Sequence, residues 1–207
     1  LSNLNIFRKN DIRGFITAEG ELKGKINDPD IAINFNVDYP HFKGIRIREI
    51  WEGDIKNKND KFLLNMKNRY SPIPSFLSIK FDSDLKLDNV SFSRIFNSTK
   101  GNLKVIKENN SYIWTANKFP LDELELSIRN DQFDRIEGII NGSGSISSDL
   151  SYLDGRLAWS LGKYRNIELD NSLFDFNFNE NSFYINSSFY PIDGGIIEAE
   201  YLSLIHI

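Results

Sequence analysis

An all-β chain of repeated amphipathic antiparallel strands is what this sequence predicts, and three observations carry the expectation. Apolar and polar residues alternate over long stretches, the signature of half-buried strands. One arrangement occurs twice: Phe35, Val37, Tyr39, Pro40, Phe42, Lys43, Gly44, Ile45 and Ile47 are answered without a gap by Leu157, Trp159, Leu161, Gly162, Tyr164, Arg165, Asn166, Ile167 and Leu169. Glycines punctuate the strands at Gly14, Gly20 and Gly24, and again at Gly138, Gly142 and Gly144, where bulges or close backbone approaches are expected. A closed β-sandwich or a β-solenoid satisfies the same pattern and stands as the alternative.

The elements follow in order. Gly14, Ile16, Gly20, Leu22 and Gly24 open a first module over residues 1–70, and Ile31, Ile33, Phe35, Val37 and Tyr39 alternate strictly with Ala32, Asn34, Asn36 and Asp38. Pro40 and Gly44 flank a turn into Ile45 and Ile47. Trp51 and Gly53 then precede a turn around 57–60. The proline cluster from Ser71 to Ser75 fits neither a helix nor a central strand, so a joint is placed there and residues 71–118 are read as a connecting segment. Within it, Phe92, Ile95 and Phe96 fall at i, i+3 and i+4 before Gly101, which predicts one short helix over Asn89 to Ser98. A second module spans 119–201, with Gly138, Ile140, Gly142, Gly144 and Ile146 as the counterpart of the opening. Phe174, Phe176 and Phe178 alternate there with Asp175, Asn177 and Asn179. Residues 202–207, from Leu202 to Ile207, resemble one reading frame of a mosaic-end sequence used in transposon-based library preparation. They are read as a processing scar, so the chain is expected to be an internal fragment whose native sequence continues past Tyr201.

The 207 residues carry a net charge of −4, with 25 basic and 29 acidic residues interspersed, a pattern without the basic footprint of a nucleic-acid binder. Hydrophobic residues make up 40% and mean hydropathy is −0.39, the balance expected of strands with one apolar and one polar face. Cysteine is absent, which removes disulfides, thiol nucleophiles and thiolate metal sites. Apolar runs are far shorter than the ~20 residues that span a bilayer as a helix.

Catalytic chemistry finds little to use. With only His41 and His206, no histidine triad or histidine-rich metal site can be assembled. Gly142, Ser143 and Gly144 lack the spacing of a nucleophile elbow. Glu49 with Glu52, and Glu123 with Glu125, are paired carboxylates that serve glycosidic acid–base work only if they converge in a cleft. Asp28 with Asp30, and Asp82 with Asp84, lack the glycine-punctuated loop and closing glutamate of a calcium site. Trp51, Trp114 and Trp159 suit either sugar stacking or core packing, and core packing is favoured.

Gly14 to Gly24 followed by Asp28, Pro29, the strand through Val37 and Pro40, together with Phe119, Pro120 and Leu121 ahead of Gly138, Gly142 and Gly144, resemble the TamB-like proteins of the translocation and assembly module. These belong to the wider AsmA-like group and include cyanobacterial and plastid inner-envelope relatives. The resemblance covers nearly all of residues 1–201. It implies a long sheet curled into a U-shaped groove, apolar inside and polar outside, in a periplasm or intermembrane space, with the parent protein anchored in the inner membrane outside this stretch. It further implies phospholipids as cargo and an outer-membrane barrel-assembly protein as partner, while the residues themselves predict no enzymatic role, cofactor, metal or nucleic acid.

Physical chemistry agrees with the lipid version. Each exposed methylene costs about 0.8 kcal/mol, so a two-chain lipid with ~30 of them meets roughly 25 kcal/mol in water. The expected lining comprises Ile33, Phe35, Val37, Ile45, Ile47, Leu157, Trp159, Leu161, Ile167, Leu169, Phe174, Phe176 and Phe178. A scaffold that assists barrel assembly or insertion, or protein translocation, through its strand edges is the alternative function.

Overall fold

The computed structural model describes residues 12–204 apart from 26–27, 43–44, 59–60, 71–74, 97, 123, 130–131, 150 and 180–181. The described residues form strands and no helix. The strands are β1 (Ile12–Lys25), β2 (Asp28–Phe42), β3 (Ile45–Ile47), β4 (Ile50–Lys58), β5 (Lys61–Asn68), β6 (Phe76–Phe81), β7 (Leu87–Phe96), β8 (Thr99–Glu108), β9 (Ser111–Pro120), β10 (Leu124–Arg129), β11 (Gln132–Ser147), β12 (Tyr152–Tyr164), β13 (Ile167–Asn179), β14 (Ser182–Phe189) and β15 (Ile197–Leu204).

Two compact units divide the chain: Leu1–Ile95 with Glu123–Arg135, and Phe96–Asp122 with Ile136–Ile207. This division differs from the modules 1–70, 71–118 and 119–201 expected from sequence. The joint expected at Ser71 to Ser75 falls inside the first unit, between β5 and β6, and 71–74 lie outside the described residues. Leu202 to Leu204, set aside in the sequence reading, pair with Tyr184, Phe183 and Ser182 as the end of β15, while 205–207 lie outside the described residues.

In the first unit β1 runs along one edge of β2, while the other edge is shared by β4, over Ala32–Asp38, and β3, at His41 and Phe42. From β4 the sheet continues through β5 and β6 to β7, and β3 carries β10. Every one of these pairings is antiparallel. Glu125 of β10 fixes the branch by taking both Arg46, through Nε at 2.6 Å, and Arg48, at 3.4 Å. The second unit is an antiparallel succession β8, β9, β11, β12, β13, β14, β15.

The helix expected over Asn89 to Ser98 is corrected to strand β7. Val90 and Phe92 pair with Ile79 and Leu77, while Ser91 and Ser93 pair with Ser78 and Phe76. Three apolar residues at helical spacing were a weaker signal than this alternation. A helix so short gains little by itself, whereas pairing with β6 satisfies the backbone and seats Val90 and Phe92 on the apolar face.

The duplication read from sequence has a structural counterpart. Tyr39 (φ 49°) and Leu161 (φ 52°) occupy equivalent positions, and opposite them stand Gly14 (φ 138°) and Gly138 (φ 115°). In each case the ladder shifts there, with one residue of the glycine strand opposing two of its neighbour. A side chain on Gly138 would meet the Leu161 carbonyl oxygen at 2.7 Å, so glycine is required by both its φ and its surroundings. Beyond the bulge the equivalent residues pair in each copy, Phe42 with Ile45 and Tyr164 with Ile167. Bulges of this kind bend a sheet and increase its twist.

The turn joining β11 to β12 is organised by an exposed carboxylate. Hydrogen bonds from the Ser147 and Ser151 hydroxyls and the Ser151 amide hold the Asp149 pKa down to about 2. Because the folded pKa is depressed, the turn is supported above the ordinary 3.8 and loses that support as pH falls toward about 2. An NMR titration of the Asp149 carboxyl should place its midpoint near the lower value; a midpoint near 3.8 would contradict the geometry.

Candidate functional site

Alternation and register together build one apolar face in each unit. In the first, cross-strand rows run Ala18, Phe35, Gly53, Met66, Leu77, Phe92, and then Gly20, Ile33, Ile55, Leu64, Ile79, Val90. A third row joins Ile16, Val37, Trp51 and Asn68. The intervening residues, such as Glu19, Asn34, Asp54, Asn65 and Ser78, form an equally continuous polar row on the other face.

The first unit's sheet curls around its apolar face. From β4 to β7 is three strand spacings, ~14 Å on a flat sheet. Yet the Trp51 and Phe92 ring centroids lie 5.7 Å apart in an edge-on contact, and Arg94 Nη2 donates to Glu49 Oε1 at 3.1 Å. Phe35, Val37 and Trp51 form the buried core of this curl, with Ile47, Ile55, Leu64, Met66, Leu77 and Phe92 packed around them. Asn68 completes the polar side of the contact: it donates to Glu49 Oε1 at 3.5 Å and accepts from the Ser75 amide at 2.6 Å.

In the second unit the rows are Val105, Trp114, Gly144, Gly155, Phe176, Ile185, Tyr201 and Leu103, Ala116, Gly142, Leu157, Phe174, Ser187, Ala199. A third runs Tyr112, Ile146, Leu153, Phe178, Phe183. Two adjacent glycines leave room for Trp114 and Phe176 to lie parallel, with centroids 6.0 Å apart and planes at 10°. A Cβ on Gly155 would collide with the Trp114 ring and approach Phe176 at 2.8 Å. Trp159 is held by donating its ring N–H to the Glu137 carbonyl at 2.9 Å.

The expected lining residues divide by this geometry. Ile33, Phe35 and Val37 share the first unit's apolar face, and Leu157, Trp159, Phe174, Phe176 and Phe178 share the second's. Ile47 packs against the first core, while Ile45, beyond the bulge, is exposed. Leu161 does not join the others: its φ places it on the bulge, where it is 67% exposed. Ile167 is exposed beside the hairpin turn, and Leu169 is buried beyond the bulge, bridging to Pro191. The parity rule fails at a bulge because one extra residue reverses which face follows.

The face also holds residues absent from the expected set, notably Trp51, Leu64, Met66, Leu77, Ile79 and Phe92. Alternation was visible in Phe62, Leu64, Met66 and in Leu77, Ile79, Phe81, but Leu63 on the polar face broke the first run, and the helical reading claimed Phe92. Most of these apolar residues are only half-buried, and full burial in the first unit's rows centres on Phe35, Val37 and Trp51.

The paired carboxylates serve separate contacts. Glu49 faces Arg94 while Glu52 meets Lys67 at 3.0 Å; Glu125 takes the two arginines of the branch, and Glu123 lies outside the described residues. Asp82 is a turn residue that accepts from the Asp84 and Lys86 amides at 3.0 and 2.8 Å. Asp28's side chain lies outside the described set and Asp30 is exposed. Among the described residues no three His, Cys, Asp or Glu side chains gather as metal ligands, and no helix is long and apolar enough to cross a membrane. No protein-family model, curated protein or solved structure matches this chain.

Proposed function

We propose that this chain is a segment of a membrane-bridging protein whose apolar faces conduct phospholipid acyl chains between inner and outer membranes, in the service of outer-membrane biogenesis. The observation that carries the reading is the incomplete burial of continuous apolar rows. Phe174, Phe176, Phe178, Leu153, Leu157 and Ile185 align across strands yet stay half-buried, a surface suited to an apolar occupant. Such a lining lowers the cost of moving acyl chains without reading a headgroup, and it works without catalysis. The setting is a periplasm or intermembrane space.

A photocrosslinking residue placed at Phe176 or Asn177 in the protein in cells tests this directly, because the two positions face opposite sides of β13. Phospholipid adducts are expected at Phe176 and not at Asn177, and Phe176→Lys should abolish lipid transfer while the protein stays folded. Equal labelling at both positions, or none at Phe176 in folded protein, would overturn the proposal.

A second reading, a scaffold for β-barrel assembly or protein translocation, draws on the outermost strands. Phe15 and Leu22 of β1, and Ile197, Tyr201 and Leu202 of β15, are large apolar residues more than half exposed. Unpaired strand edges are templates for an added strand. Prolines in β1 or β15 would then impair activity more than charges on the apolar faces.

A further inference from the structure

Each unit also carries a concavity on its polar face. In the first it is an open depression of about 660 Å3 above the backbone of Phe35, Gly53 and Met66. Asn34, Asp54 and Asn65 form one cross-strand row along it, and Asn36 and Glu52 lead a second that ends at Phe76. In the second unit a shallow, open depression of about 580 Å3 lies above Gly144 and Gly155, between the pair Arg156 and Asp175 and the row Asp154, Asn177, Tyr184, with Tyr152 at its margin.

The two concavities share residue types. Each brings amide, carboxylate and one basic side chain together on neighbouring strands, offering donors and acceptors together. They hold one another in place: Arg156 Nε donates to Asp175 Oδ1 at 2.6 Å, Asn177 Nδ2 donates to the Tyr152 hydroxyl at 3.1 Å, and Lys67 meets Glu52 at 3.0 Å. A carboxylate has about four acceptor sites, so Asp175 and Glu52 retain capacity for a ligand. Aromatic rings stand among these polar groups. Phe76 is 53% exposed on an otherwise hydrophilic row, and Tyr152 is 39% exposed.

Acids outnumber bases in both concavities, which disfavours phosphate and nucleic acid. An apolar occupant would leave the polar rows unsatisfied. A ring bearing hydroxyls at its rim and C–H groups on its face meets both requirements, hydrogen bonds for the former and aromatic contact for the latter.

We infer that the polar face of each unit, taken by itself, binds a neutral, hydroxyl-rich polysaccharide strand. The inference stands independently of lipid conduction, which uses the opposite face.

Titrating the 15N-labelled chain with chitotetraose, maltotetraose and cellotetraose tests it. At least one probe should give saturable shifts at Asn65, Asp154 and Asn177, with millimolar affinity. Phe76→Ala should weaken the first site, and Tyr184→Ala with Asn177→Leu the second, each by about tenfold or more. These positions lie on the polar face, and an unchanged amide spectrum elsewhere shows that the fold persists. Absence of saturable shifts with all three probes, or affinity unchanged in the combined variant with an intact spectrum, would overturn the inference.

Discussion

Replacing Arg94 with methionine is expected to destabilise the first unit by about 3–5 kcal/mol, the cost of breaking a buried ion pair from one side. Arg94 is 1% exposed and Glu49 14%, so neither charge is well solvated, and the variant leaves the Glu49 carboxylate facing an apolar side chain. The pair is more than a source of stability because it joins β7 to the residue ahead of β4, and so fixes how tightly the sheet curls. Substituting both partners, Arg94→Met with Glu49→Leu, should recover most of the loss, since an apolar pair of similar volume carries no desolvation penalty. Urea denaturation followed by far-UV circular dichroism measures the stability, and hydrogen exchange in β4 and β7 localises it. A double variant no more stable than Arg94→Met would show that the curl depends on the charges themselves.

The second large effect is expected at Trp51, which is 1% exposed and contacts Phe92 across the curl. Trp51→Ala removes the largest side chain of the core and should cost about 3–5 kcal/mol. Because the cavity opens between strands that are not neighbours, hydrogen exchange should accelerate in β2, β4 and β7 together. Trp51→Phe keeps an aromatic ring against Phe92 and should cost distinctly less. A loss for Trp51→Ala below about 1 kcal/mol, the scale of an average substitution, would mean that the curl is held elsewhere.

These two substitutions bear on function through the same geometry. Contacts among Trp51, Phe92, Arg94 and Glu49 hold the sheet in its curl, so under the proposed lipid-conducting role an acyl chain would meet a preformed surface. Loss of the curl should therefore reduce lipid transfer even where Phe176 and its neighbours are untouched.

Several parts of this architecture were legible in the residues. Alternation in Ile31 to Tyr39 and in Phe174 to Phe178 placed strands and their apolar faces, because side chains in a strand change sides at every residue. The repeated stretches at Phe35 and Leu157 foretold matching bulges and hairpins, since the same local sequence meets the same local constraints. The candidate face was therefore readable along the longest alternating runs, though the shorter run Leu77, Ile79, Phe81 was not drawn into the expected lining. It was lost at Leu161, where the bulge reverses the parity, and at Phe92, where helical and strand spacing compete over a few residues. The division into units was not legible either, because Glu123–Arg135 returns to the first unit from a distant part of the chain.

By itself the sequence determined that the fold is all-β, which strands are amphipathic where alternation runs unbroken, and where its internal duplication lies, because these depend on period and local turn chemistry. Only the tertiary structure decided which strands are neighbours, that Arg94 and Glu49 meet across 45 residues, and that two polar concavities stand opposite the apolar faces. Those features depend on register and on the curvature of a whole sheet. Both emerge from pairing between distant segments, which no local pattern encodes.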